Sequence, residues 1–263
     1  LGPMQGTLFD STGRVVLVTG GSKGLGLAMA RGFAEAGADV VISSRHQDEL
    51  DRALVEITDG LDVKGLAIES DMTIREDVKR LAETAVSEMG RVDVLINNAA
   101  IASYTPFLEM TVKEWDLVMD IDLRAPFIAC KSVVPIMIEQ GGGSIINISS
   151  HAATNIFSST LSADSTDIAL IGQNYGAAKV GLERFTWGLA AELGPYNISV
   201  NVLKPLRPVV TEGFLAQGPD ADISTWATPA DMVKAAKYLA AQDAKGLSGT
   251  TVTAEELVRR LGL

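Results

Sequence analysis

The residues in this chain best suited to chemistry are a phenol and an ammonium four positions apart, in Tyr175-Gly-Ala-Ala-Lys179. Residues at i and i+4 share a helix face, so the ammonium can lie beside the phenol. A cation there stabilises phenolate and suits a tyrosine to proton transfer near neutral pH. The spacing alone is a weak signal, because it arises by chance in many helices. Its weight comes from its company. Ser149-Ser150 close an apolar run upstream and offer a hydroxyl for a substrate oxygen, and Asn97-Asn98-Ala99 close another.

A second constellation lies near the start. Arg14-Val-Val-Leu-Val-Thr19 is a β-branched run, followed by Gly20-Gly21-Ser22-Lys23-Gly24-Leu25-Gly26 and a helix-length segment from about Leu25 to Ala36. A glycine turn between a strand and a helix lets the backbone approach a pyrophosphate, and the helix N-terminus supplies free N–H groups and a positive dipole end. The spacing is G-x-x-x-G-x-G, and no Lys-Ser/Thr pair follows it to make a triphosphate loop. The bland reading is a tight strand–helix turn with no ligand. In such folds an acid about 20 residues on, at the end of the second strand, binds the adenosine ribose. Ser44 stands there, followed by Arg45, and Lys23 lies inside the turn. Two cations at the ribose favour a 2′-phosphate, hence NADP over NAD.

These residues need a frame that brings distant turns together. Apolar runs at 14–19, 39–44, 64–70, 92–97, 144–149, 197–203 and 249–253 alternate with helix-length segments at 25–36, 47–57, 74–89, 112–139, 174–193 and 229–241. Pro126 and Pro135 mark kinks or boundaries within 112–139. Regular β–α alternation predicts an α/β, doubly wound Rossmann fold: one mostly parallel sheet of about seven strands with helices on both faces. Ligands then bind beyond the carboxyl ends of the strands, where all the residues above fall. No composition shift marks a boundary, so residues 13–263 read as a single domain after a tail at 1–12. Leu1-Gly2-Pro3 read as an expression remnant before Met4.

Composition narrows the function classes. Of 263 residues, 22 are Lys or Arg and 33 Asp or Glu, a formal charge of −11. That balance opposes a nucleic-acid binder, which needs a basic footprint. No apolar stretch approaches the roughly 18 residues of a membrane span; the most apolar, 127–138, is interrupted by Lys131. The single Cys130 excludes an internal disulfide and fits a reducing, cytoplasmic compartment. It reads as a buried inert thiol. His46 and His151 form no converging set, so no metal site is expected. Tyr104, Phe107, Phe157, Phe214 and Trp226 fall near the expected mouth and hint at a largely apolar pocket.

Taken together, Thr19-Gly-x-x-x-Gly24-x-Gly26, Asp71, Asn97-Asn98-Ala99, Ser150 and Tyr175-x-x-x-Lys179 resemble the short-chain dehydrogenase/reductase family, over about residues 13–205. The resemblance implies hydride transfer between nicotinamide and a small-molecule carbonyl or alcohol. Tyr175 would be the general acid/base, Ser150 would orient the substrate oxygen, and Lys179 would support Tyr175 and hold the nicotinamide ribose. The glycine turn (Gly20, Ser22 to Gly26) with Ser44, Arg45, Asp71, Met72, Asn98, Ala99 and Pro205 would hold the cofactor. The resemblance also implies a homo-oligomer, dimer or tetramer, paired through 112–139 and 174–193.

Four departures stand against the family pattern. Ala100 replaces a glycine. Asp122 replaces the helix asparagine that completes the proton relay. Leu206 replaces the glycine after Pro205. Thr253-Ala-Glu-Glu256 replaces a glycine-rich end and resembles a capping box opening a short helix. They keep two other readings open: a cofactor-binding sensor or scaffold with little turnover, and a non-redox elimination or isomerisation enzyme. Finally, 23 residues, His151–Gln173, separate Ser150 from the tyrosine helix. A loop of that length tends to be functional or disordered, and this one is expected to wall the substrate site.

Overall fold

The computed structural model describes residues 9–103, 105–154, 172–211, 224 and 226–263. Its strands are β1 (Val15–Thr19), β2 (Asp39–Ser44), β3 (Gly65–Glu69), β4 (Val94–Asn97), β5 (Gly143–Ile148), β6 (Ile198–Lys204) and β7 (Thr251–Thr253). The helices are α1 (Gly24–Ala34), α2 (Gln47–Thr58), α3 (Arg75–Met89), α4 (Val112–Met119), α5 (Ala125–Glu139), α6 (Gln173–Leu193), α7 (Pro229–Ala240) and α8 (Ala254–Leu261). The sheet runs β3-β2-β1-β4-β5-β6-β7, and each of these pairings is parallel. The expected doubly wound sheet is therefore present.

The β-branched runs form strands because both sheet faces are covered. All five residues of β1 are buried, and successive side chains go to opposite faces. Val16 and Val18 join a core with Met29 and Phe33 of α1 and Leu239 of α7. Val15 and Leu17 join the opposite core with Leu81 of α3 and Met137 of α5. Each such buried Val or Leu contributes about 1.5–3 kcal/mol. The strand order reverses between β1 and β4, which opens a crevice at their carboxyl ends.

Three local features depart from the sequence reading. The segment 112–139 is two helices joined by a π-helical turn, Asp120–Arg124. Ala125 N–H bonds the Asp120 carbonyl there, and Pro126, at the start of α5, has no N–H to give the Asp122 carbonyl its α-helical bond. Thr253 does precede α8, but its side chain makes no cap bond. Instead Glu255 turns its carboxylate back to the Leu206 N–H (2.8 Å) and so holds the turn after Pro205. The box that does form is Thr111–Glu114, opening α4. Ser11, assigned to the tail, is buried and donates its N–H to the Ala36 carbonyl (2.7 Å). Residues 1–8 lie outside the described residues.

Candidate active site

A cleft of about 860 Å³ runs across the carboxyl ends of the strands, within the usual range for small-molecule sites. Gly20, Ser22, Lys23, Gly24, Leu25, Ser44, Arg45, Asp71, Met72, Asn98, Ala99, Ser150, Tyr175, Lys179 and Pro205 all line it. Two expected site residues do not. Gly26 lies beneath the glycine turn, where a Cβ would fall 2.1 Å from the Gly20 carbonyl oxygen. It lets helix and turn close on each other. Asp122 is fully buried behind Lys179.

The glycine turn is held open toward the cleft. Gly20 has φ +66°, and a Cβ there would meet Ala99 Cα at 2.9 Å. Asn98 Nδ2 donates to the carbonyls of Thr19 (2.9 Å) and Gly20 (3.2 Å). Thr19 Oγ1 in turn accepts from the Asn98 and Ala99 N–H groups, each at 3.0 Å. Asn98 thus ties the ends of β1 and β4 together. No side chain caps α1 and its first turn holds no acid, so its N-terminal N–H groups stay available to an anion. A dinucleotide's pyrophosphate fits that cradle.

Farther along, Arg45 is exposed and makes no ion pair among the described residues. Lys23 is already paired, to Glu49 (3.4 Å), and Ser22 Oγ donates to the same carboxylate (3.4 Å). Glu49 escaped the sequence reading; its signal was an acid in the first turn of α2, four residues after Arg45. Asp71 Oδ1 accepts from the Thr73 N–H (2.8 Å) and hydroxyl (2.7 Å), fixing the turn after β3.

At the other end Lys179 is buried, pairs with Asp122 Oδ2 (3.1 Å) and donates to the Ile148 carbonyl (3.0 Å). Its ammonium sits 5.5 Å from the Tyr175 ring centroid. Burial works against the ammonium, but the Asp122 carboxylate and Tyr175 outweigh it and hold its pKa above the ordinary lysine value. Burial raises the Asp122 pKa, against the pull of Lys179 and of the Ile101 N–H, which Oδ1 accepts at 2.9 Å. Ser150 Oγ accepts the Ala152 N–H (3.2 Å).

Beside this lies a second buried ion pair that sequence reasoning missed. Glu183, one helical turn after Lys179, pairs with Lys204 at the end of β6 (3.1 Å). Ser149 Oγ donates to the same Glu183 oxygen (2.8 Å), and Lys204 Nζ also donates to Thr154 Oγ1 (3.2 Å). A lysine closing a fully buried strand, Ile198–Lys204, was the available signal.

His151 lines the rim of the cleft, and no metal-binding group of three occurs among the described residues. Burial pushes the Cys130 thiol up to about 12, so it is inert. Two of the five expected aromatics can be placed, and neither walls the cleft. Phe107 is 75% exposed, and neither it nor Trp226 lines the cleft, whose apolar lining includes Ile101, Ala102, Leu206 and Val209. Tyr104, Phe157 and Phe214 lie outside the described residues. So does most of the 151–173 segment; His151 and Ala152, at its start, line the cleft.

Comparison with known proteins bears on the chain as a whole. The short chain dehydrogenase profile matches residues 14–214. The 2-dehydro-3-deoxy-D-gluconate 5-dehydrogenase of Formosa agariphila is 34% identical over 266 residues, covering 95% of this chain and 94% of the relative. L-sorbose reductase from Gluconobacter frateurii, solved with NADPH and L-sorbose, superposes with TM-score 0.81 at 26% identity, covering 92% of this chain and 96% of that one. A metagenomic short-chain oxidoreductase in complex with NADP gives TM-score 0.75 at 28% identity, covering 92% and 96%.

Proposed function

This chain belongs to the short-chain dehydrogenase/reductase family, and on that premise we propose that it is an NADP-dependent oxidoreductase acting on a small carbonyl compound or secondary alcohol, with Tyr175 as general acid/base. The observation that carries the reading is the convergence of Tyr175, Lys179 and Ser150 on the cleft that also holds the glycine turn. The cofactor supplies or accepts the hydride; the protein supplies position and electrostatics. The backbone of the glycine turn and the start of α1 would hold its pyrophosphate. Arg45 and Lys23 would hold a 2′-phosphate, Asp71, Met72, Asn98, Ala99 and Pro205 would enclose the remainder, and Lys179 would hold the nicotinamide ribose. Two of the proteins described above were solved with NADP or NADPH, which supports NADP over NAD.

In the reductive direction Ser150 Oγ donates to the substrate oxygen and Tyr175 Oη delivers the proton that completes the hydroxyl. Lys179, kept charged by Asp122, stabilises the resulting phenolate. Asp122 takes the place of the family's asparagine as the group behind the lysine. Relatives named as dehydrogenases and reductases support this reading over the sensor and non-redox ones.

Ile101, Ala102, Leu206 and Val209 favour an apolar portion of the substrate, while His151 and Arg207 at the same cleft favour a polar one. Relatives named for a sugar acid and for sorbose support a polyfunctional, oxygen-rich carbonyl substrate. Phe127, Val180 and Trp187 are 48%, 50% and 43% exposed on α5 and α6, which supports pairing of subunits through these helices. A lone buried cysteine supports a cytoplasmic setting, and no described helix is long and apolar enough to cross a membrane. Incubation with NADPH and a panel of ketones, ketoses and keto acids, followed by cofactor absorbance, tests the reading. Turnover with NADPH exceeding that with NADH is expected; no turnover with either cofactor would overturn it.

A further inference from the structure

The Glu183–Lys204 pair lies outside the cleft yet touches both flanks of Ser150. Glu183 is 4% and Lys204 8% exposed. Taking two such charges out of water costs several kcal/mol each, and an apolar pair of like volume serves stability equally well or better. A buried pair is therefore weak evidence for stability, and what it touches becomes informative. Lys179 and Glu183 lie four residues apart on α6, on one face. They grip successive residues at the end of β5: Lys179 takes the Ile148 carbonyl and Glu183 the Ser149 hydroxyl. Ser150 comes next. It opens the short turn His151–Ala153 by accepting the Ala152 N–H. Thr154 ends that turn, its N–H on the His151 carbonyl (3.0 Å) and its hydroxyl on Lys204. Both ends of the Ser149–Thr154 segment thus converge on one buried ion pair.

We propose that Glu183 and Lys204 are positioning residues for Ser150, clamping the turn that carries its hydroxyl through Ser149 on one side and Thr154 on the other. The pair touches neither substrate nor cofactor. It acts by fixing where the Ser150 oxygen meets the substrate oxygen. The charge has a purpose in this arrangement. One Glu183 oxygen receives both Ser149 and Lys204, and Lys204, held by that carboxylate, also reaches Thr154. Misplacing a catalytic group by about 1 Å can cost on the order of 10²-fold in rate, so a clamp on this turn matters to turnover more than to stability. The part that concerns rate rests on the oxidoreductase reading above; the part that concerns the turn does not.

The test replaces the whole network at once, Ser149→Ala with Glu183→Leu and Lys204→Met, which leaves no buried polar group of the network unpaired. Two readouts follow. Hydrogen exchange of the amides of Ala152 to Thr154 needs no substrate, and is expected to quicken at least about tenfold while the strands keep their protection. Turnover is expected to fall at least about tenfold in kcat, with NADPH affinity within about twofold of wild type. Ser150→Ala is then made in both backgrounds. Its penalty should shrink in the triple variant, because the hydroxyl removed there was already misplaced. Lys204→Arg alone, with Glu183 intact, keeps the charge and should retain most of the wild-type rate. Unchanged exchange, or a Ser150→Ala penalty equal in both backgrounds, overturns the proposal. If the wild-type chain reduces no carbonyl, the functional reading falls and exchange alone decides this one. Should the triple variant fail to fold, Glu183→Gln carries the same readouts: its amide oxygen still accepts from Ser149, but the charge that holds Lys204 is gone.

Discussion

Asp122→Asn separates a carboxylate that merely replaces an amide from one that keeps Lys179 charged. The variant preserves size and an oxygen for the Ile101 N–H, now 2.9 Å from Oδ1. It then sets an amide NH₂ against the Lys179 ammonium, where Oδ2 stands at 3.1 Å. Removing one partner of a buried ion pair costs about 3–5 kcal/mol, because the other charge stays buried without compensation. Urea unfolding at pH 7 should show a loss of that size. The pH dependence follows from the direction of the Lys179 shift. Burial lowers the lysine's pKa and Asp122 with Tyr175 raises it further, so the folded value exceeds the ordinary 10.5. The stability this gives is complete below the unfolded pKa and is lost as pH rises through the folded one. Without Asp122 burial loses its main opponent, the ammonium deprotonates at lower pH, and the alkaline limbs of stability and of kcat/KM both move down. Adding Lys179→Met should recover stability but not rate. A loss under about 1 kcal/mol with an unmoved alkaline limb would refute the pairing argument.

Arg45→Asp removes a cleft-lining cation that makes no ion pair among the described residues and should shift preference from NADP toward NAD; the ratio of kcat/KM values should change by at least about tenfold, a charged hydrogen bond being worth about 1.5–3 kcal/mol. Glu49→Gln frees Lys23 and Ser22 from a competing carboxylate and should tighten NADP, by up to about fivefold because the ion pair is largely exposed; fluorescence titration reads this, and NAD affinity should stay unchanged. Deleting residues 155–167 should alter KM for substrate more than KM for NADP, and equal effects on both would make the segment a passive insertion.

The elements and the cleft were legible because each rests on a local rule. Alternating apolar runs gave the strands to within two residues, and Gly20 to Gly26 marked the turn between β1 and α1. What stayed hidden depends on partners far along the chain. Glu49 was an ordinary helix-start acid until folding set it against Lys23. Glu183 and Lys204, 21 residues apart, gain meaning only when β6 lies beside β5. The π turn around Asp122 reflects a missing N–H at Pro126, readable in principle but easily taken for a simple helix boundary. The Thr253–Glu256 box did not form, and the neighbouring Glu255 bonds the Leu206 N–H instead, a tertiary bond no local motif announces.

The central claim is that Tyr175 moves the proton. Tyr175→Phe keeps the ring 5.5 Å from the Lys179 ammonium and removes only the hydroxyl. With NADPH binding measured first by fluorescence, steady-state reduction of the best carbonyl substrate should show kcat down by at least about 10²-fold, the usual worth of a positioned acid/base, at unchanged NADPH affinity. Retention of turnover within about threefold of wild type, where general acid catalysis predicts a far larger loss, would contradict the account.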